Sequence, residues 1–120
     1  MDKTYFIDID GTIFPHMTAN ELDNVYKTDH EAKPLPGVIG FWQTFRKNDV
    51  IVITTARPYK YRQYTERNLK LLNLRYDCLL MGIGNGTRIL INDVASSREI
   101  NAIAHNVPRD CGLKHLFTKQ

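Results

Sequence analysis

Residues Tyr5-Phe6-Ile7-Asp8-Ile9-Asp10-Gly11-Thr12 constrain this chain more than any other stretch. Four apolar or aromatic residues crowd around two aspartates set two apart. A run this apolar reads as a strand buried on both faces of a parallel sheet. Burying two carboxylates there is costly unless something compensates their charge. Compensation is easiest at the carboxyl end of the strand, where Gly11 and Thr12 break the pattern and a cation can sit. In open α/β sheets that end is also where ligands bind. Asp8 and Asp10 are therefore expected at the centre of a metal and phosphate site.

The rest of the chain reads as a frame for that strand. Residues 13–36 form a polar, irregular insert with a short helical turn at Asn20–Tyr26. Loops of this length in compact domains are functional or mobile. Pro36-Gly37 open a helix to about Lys47, with Val38, Phe41, Trp42 and Phe45 as its core stripe. Val50–Thr54 is a β-branched second strand. A helix over Tyr59–Leu72 follows Pro58, with Tyr61, Tyr64, Leu71 and Leu72 facing inward. Tyr76–Met81 reads as a third strand, and the three glycines of Gly82–Thr87 as a flexible turn. Arg88–Asp93 reads as a fourth strand. Ser96–Glu99 fits a capping box, and Ala102–Val107 reads as a fifth strand before Pro108. Strands alternating with helices predict an α/β fold, a doubly wound, Rossmann-like parallel sheet of about five strands. A length of 120 residues suits a single domain over residues 1–120.

The charge balance excludes some partners. A net charge of +3 is too weak to argue for nucleic acid or a membrane surface, though it suits an anionic substrate. No apolar stretch approaches the roughly 20 residues needed to span a bilayer. Asp8 and Asp10 interrupt the N-terminal apolar run, so no signal peptide is expected. Cys78 and Cys111 follow no pattern and read as reduced cysteines of a cytoplasmic protein, Cys78 in the core. The scattered His16, His30, His105 and His115 are not expected to bind metal.

Asp8-Ile9-Asp10-Gly11-Thr12 resembles the first motif of the haloacid dehalogenase superfamily, whose common members are magnesium-dependent phosphatases. Two further motifs follow in the right order. Thr54-Thr55-Ala56-Arg57, closing the second strand, resembles the second motif, with Thr55 at the phosphate-binding position. Asn92-Asp93 resembles the fourth, with Asn92 in place of the first acid. The resemblance covers residues 4 to 94. It implies a magnesium-dependent phosphomonoester hydrolase acting through an aspartyl-phosphate. Asp8 would be the nucleophile and Asp10 the general acid and base. Mg2+ would be held by Asp8, the Asp10 carbonyl and Asp93.

The family's third-motif lysine has no counterpart, because Met81-Gly82-Ile83 stand where it belongs. Arg57 and Arg88 are equal candidates for the missing phosphate-binding cation, with Lys60 behind them. The insert leaves room for a flap but no folded cap. Arg109-Asp110-Cys111-Gly112-Leu113 resembles the tail of small phosphatases associated with polysaccharide biosynthesis. The resemblance implies a sugar phosphate or other phosphorylated metabolite as substrate, and the missing cap implies large substrates or a site that borrows a neighbouring subunit as cover. Borrowed cover implies a homo-oligomer, with Trp42 or Tyr59, Tyr61 and Tyr64 on its surface. The absent lysine and Asn92 keep a second reading open, a catalytically weak or inactive domain that binds metal or a phosphorylated partner. Phosphotransfer from the same aspartate to an acceptor other than water is a third.

Overall fold

A computed structural model of the chain describes residues 2–96 and 100–117. Its frame is a three-stranded parallel sheet of β1 (Thr4–Asp8), β2 (Val50–Thr54) and β3 (Cys78–Leu80), with β2 in the centre. Asp8 stands opposite Thr54 at the carboxyl ends of β1 and β2. Three helices accompany the sheet: α1 (Ala19–Lys27), α2 (Val38–Gln43) and α3 (Arg62–Leu71), the last entered through a 3-10 turn at Tyr59–Tyr61.

β2 forms because its run is β-branched and apolar, and Ile51 and Ile53 are fully buried. α2 carries the expected stripe: Val38, Phe41 and Trp42 are buried, while Phe45, just beyond the helix, stacks on Tyr5 with ring centroids 4.7 Å apart. The Trp42 indole N–H donates to the Arg75 carbonyl at 2.9 Å, satisfying the one polar atom of that ring. α1 starts at a capping box. Thr18 Oγ1 accepts from the Glu21 amide, and Glu21 Oε1 accepts from the Thr18 amide.

Several sequence expectations are corrected. Among the described residues the sheet has three strands rather than about five. Arg88–Asp93 and Ala102–Val107 pair with nothing, and Ile89 and Ile91 are 80% and 90% exposed. Strand propensity becomes a strand only against a partner. Here the Gly82–Thr87 loop bends back, with Arg88 hydrogen-bonded to the carbonyls of Gly84 and Gly86, and no ladder to β1 forms. Among the described residues β1 therefore keeps one unpaired edge. The 13–36 insert is anchored in the core rather than polar throughout: Ile13, Phe14 and Leu35 are buried, and the Leu35 amide donates to the Ile13 carbonyl at 2.8 Å.

On α3 the inward face is Tyr64, Thr65, Asn68 and Leu69, while Leu71 is exposed. Asn68 is tolerated inside because its amide bridges the Ala32 N–H and the Tyr64 carbonyl. Cys78 is exposed on the edge strand β3 instead of in the core. Trp42, Tyr61 and Tyr64 are buried and Tyr59 is 66% exposed, so of the aromatics expected on an oligomer surface Tyr59 alone is exposed. The expected cap at Ser96–Glu99 falls largely outside the described residues. No described helix is long and apolar enough to cross a membrane.

Candidate active site

The site grows from the way β1 ends. The strand stops at Asp8, and the fully buried Ile9 turns the chain. The Ile9 carbonyl accepts from the amides of Thr12, Ile13 and Phe14 at 3.0, 2.8 and 3.1 Å. Gly11 takes φ +86° and donates to the Phe14 carbonyl at 2.7 Å. A left-handed residue here is what lets the turn close so tightly. Asp8 and Asp10, which a continuing strand would leave on one face, acquire different neighbours.

Asp10 is held by Arg57. Guanidinium Nε and Nη2 donate to the two carboxylate oxygens at 2.9 and 2.8 Å, a fork-to-fork pair. The third arm, Nη1, donates to Thr65 Oγ1 on α3 at 3.0 Å. The Arg57 side chain is 1% exposed and that of Asp10 is 22% exposed. Main-chain bonds fix Arg57 in turn. Its amide donates to Thr55 Oγ1 at 3.1 Å and its carbonyl accepts from Gly82 at 2.9 Å. Thr55, one residue past β2, is buried and tied to the β3 side by the Leu80 carbonyl and the Ile83 amide. Asp8, Asp10, Thr55 and Arg57 are thus brought to one end of the sheet.

Asp8 has the less favourable surroundings. Burial pushes its carboxyl pKa up, and the negative charge of Asp10 pushes the same way. The Ile9 amide, the Thr12 hydroxyl at 3.3 Å and the positive charge of Arg88 oppose this. The folded-back glycine loop is thus how Arg88, at the wrong end of its expected strand, still bears on Asp8. Lys60 instead turns to Asp23 of α1, 3.7 Å away.

Asp93 is exposed, and its carbonyl accepts from Asn92 and Asn101. No group of three or more His, Cys, Asp or Glu among the described residues is placed to hold a metal ion. Asp93 is not delivered because the strand that would carry it is not in the sheet. What the folded chain offers magnesium is Asp8, a partly buried carboxylate beside a second acid and, among the described residues, without an ion-pair partner. Such a group is one that a cation relieves. Magnesium accepts one or two protein carboxylates, with water and substrate phosphate completing its shell.

Two residues stand at the site without the sequence having placed them there, Arg109 having figured only in the tail motif. Thr65 anchors Arg57 from α3 and carries a helical-spacing signal, one turn beyond the buried Tyr61. Arg109 lies over Gly11, and nothing local in the sequence points there.

The chain is a small α/β domain whose acidic pair stands at the carboxyl end of a parallel sheet, the position where open α/β sheets bind ligands. No family model and no curated protein matches the chain. Among solved structures, a chain of the Pnkp1/Rnl/Hen1 complex is similar at 24% identity and a TM-score of 0.56. The match covers 74% of this chain and 31% of that one, so this chain spans about a third of its neighbour's length. At that identity the likeness supports a shared α/β fold.

Proposed function

We propose that the chain is a phosphomonoester hydrolase that uses Asp8 as nucleophile, with Mg2+ as cofactor and a small phosphorylated metabolite as substrate. The observation that carries this reading is the asymmetry of the two aspartates. Asp10 is locked by Arg57, whereas Asp8 is partly buried and, among the described residues, has no ion-pair partner. A fixed acid beside a high-energy carboxylate is an arrangement for chemistry more than for stability.

Asp8 attacks phosphorus, forming the acyl–phosphate bond as the bond to the leaving oxygen breaks. Asp10, once protonated on an oxygen that one arm of the Arg57 fork gives up, hands that proton to the leaving oxygen, while the other arm keeps the carboxyl oriented. Water then attacks phosphorus, gives its proton to Asp10 and releases Asp8. Arg88 offsets charge at Asp8 in place of the lysine that the resemblance leads one to expect. Bound magnesium would neutralise phosphoryl oxygens and Asp8 together.

A second reading, a domain that binds a phosphorylated ligand without turning it over, draws support from Asp93 lying apart from Asp8. Release of phosphate from 4-nitrophenyl phosphate with magnesium separates the two. Turnover that vanishes in Asp8→Asn is the expected result. Absence of turnover, with beryllofluoride still bound, would favour the binding domain, and absence of both would remove the site.

A further inference from the structure

The segment after Pro108 returns to the motif turn and is fastened there. The Asp110 amide donates to the Gly11 carbonyl at 2.9 Å, and Asp110 Oδ1 accepts from the His16 amide at 2.7 Å. Asp110 itself sits at φ +62°, a left-handed conformation that aspartate adopts more readily than most non-glycine residues. Two residues on, Gly112 takes φ +78°, and a Cβ there would lie 1.9 Å from the Pro36 carbonyl oxygen. Leu113 donates to that same oxygen at 2.9 Å and is buried.

These fastenings place Arg109. Its Cγ lies 3.2 Å, and its Nε 3.9 Å, from where a Cβ on Gly11 would stand, and His16 Cβ lies 3.8 Å from the same point. Arg109 and His16 therefore meet on the same face of the glycine between Asp10 and Thr12, the face on which a Cβ would stand. Both are exposed, and among the described residues the Arg109 guanidinium has no hydrogen bond or ion pair. The other cations at this end are engaged: Arg57 with Asp10 and Thr65, Arg88 with Gly84 and Gly86. Of the nearby acids, Asp10 is engaged by Arg57 and Asp110 by the His16 amide, while Asp8 has no ion-pair partner among the described residues.

We infer that Arg109, with His16 beside it, binds a second phosphate carried on the leaving group, so that the preferred substrates are bisphosphorylated metabolites. The placement follows from the chemistry above: Asp10 faces the leaving oxygen, and Arg109 stands over the turn immediately beyond Asp10. The inference rests on that reading for its account of which side the leaving group occupies. A guanidinium whose stem is packed and whose head is unpaired binds a phosphate oxygen pair with little ordering cost.

The test is a binding measurement, which needs no turnover. Glucose 1-phosphate and glucose 1,6-bisphosphate are titrated by calorimetry, with magnesium, into the full chain carrying Asp8→Asn. The bisphosphate should bind about tenfold or more tightly than the monophosphate. Adding Arg109→Gln, which keeps the stem over Gly11, should bring the two affinities within about twofold, and Arg109→Lys should restore part of the preference. A preference that survives Arg109→Gln, equal weakening of both ligands, or no preference at the start overturns the inference. Thermal melts of each variant confirm that the comparison is between folded chains. If the wild-type chain releases no phosphate from any ester, the hydrolase reading fails while the affinity ratio still decides the role of Arg109.

Discussion

Replacing Arg57 by alanine tests whether the acid of the site is held by a buried ion pair. The substitution removes three hydrogen bonds, two to the Asp10 carboxylate and one to Thr65. Breaking a buried pair from one side costs about 3–5 kcal/mol, because the charge left behind is uncompensated. Asp10 keeps 22% exposure and water can reach it, so the low end applies, about 3 kcal/mol. An unfolding entropy of about 2.1 cal/mol/K per residue gives about 0.25 kcal/mol/K for a chain of 120 residues. The loss then corresponds to about 12 °C in the melting midpoint. Differential scanning calorimetry of Arg57→Ala, Asp10→Asn and the double variant measures it. Each single change leaves one member of the pair stranded, whereas the double change leaves neither. The double variant should therefore fall no further than Arg57→Ala alone, a coupling of about 3 kcal/mol. Strict additivity, or a drop below about 4 °C for Arg57→Ala, would refute the pairing argument.

Asp8→Asn should raise stability while abolishing phosphate release. The folded pKa of Asp8 is raised by burial, so its ionisation opposes folding once pH exceeds the unfolded value. The advantage of the asparagine variant, measured by urea unfolding without magnesium, should be absent at low pH and open as pH rises through the folded pKa. Asp49 should behave in the opposite sense. Amide hydrogen bonds from Lys3 and Arg46 hold its carboxyl below the usual range, so its contribution is present at neutral pH and lost on acidification through the lowered pKa. Asp49→Ala should flatten the acid limb of a stability–pH curve. Gly112→Ala should cost more than the roughly 1–2 kcal/mol of a left-handed residue alone, because the new methyl meets the Pro36 carbonyl. Limited proteolysis after Val107 should report the released segment.

Legibility followed the reach of the interactions involved. β2 was readable because five β-branched residues in a row, Val50 to Thr54, leave few alternatives. The stripe of α2 was readable too, but the helix stops at Gln43, short of Lys47. There the Thr44 hydroxyl bonds back to the Phe41 carbonyl at 2.6 Å, and the amides of Thr44 and Phe45 bond three residues back, tightening the last turn into 3-10 geometry. Asp8, Asp10 and Thr55 were found because strand ends advertise themselves locally. Whether Arg57 would face a phosphate or an acid depended on Asp10, 47 residues away, and no local pattern carries that. Arg88–Asp93 has the composition of a strand, yet pairing is a property of two segments, and the composition of one says nothing of the other's availability. Arg109 reaches Gly11 only through Asp110 and Gly112, two positive-φ residues whose meaning emerges once Pro36 and His16 are in place.

The unpaired edge of β1 has a consequence for ionic strength. Protein walls the strand's acids on the β2 side, and among the described residues no strand walls them on the other. Mobile ions can therefore approach Asp8, Arg88 and Arg109, and their attraction for an anion should decline as salt shortens the screening length to about 8–10 Å and below. The Asp10–Arg57 pair, with its guanidinium buried and only the Asp10 side open to water, is screened less. One end of one sheet thus holds two electrostatic regimes, an ion pair that salt weakens little and an antechamber that salt can switch off.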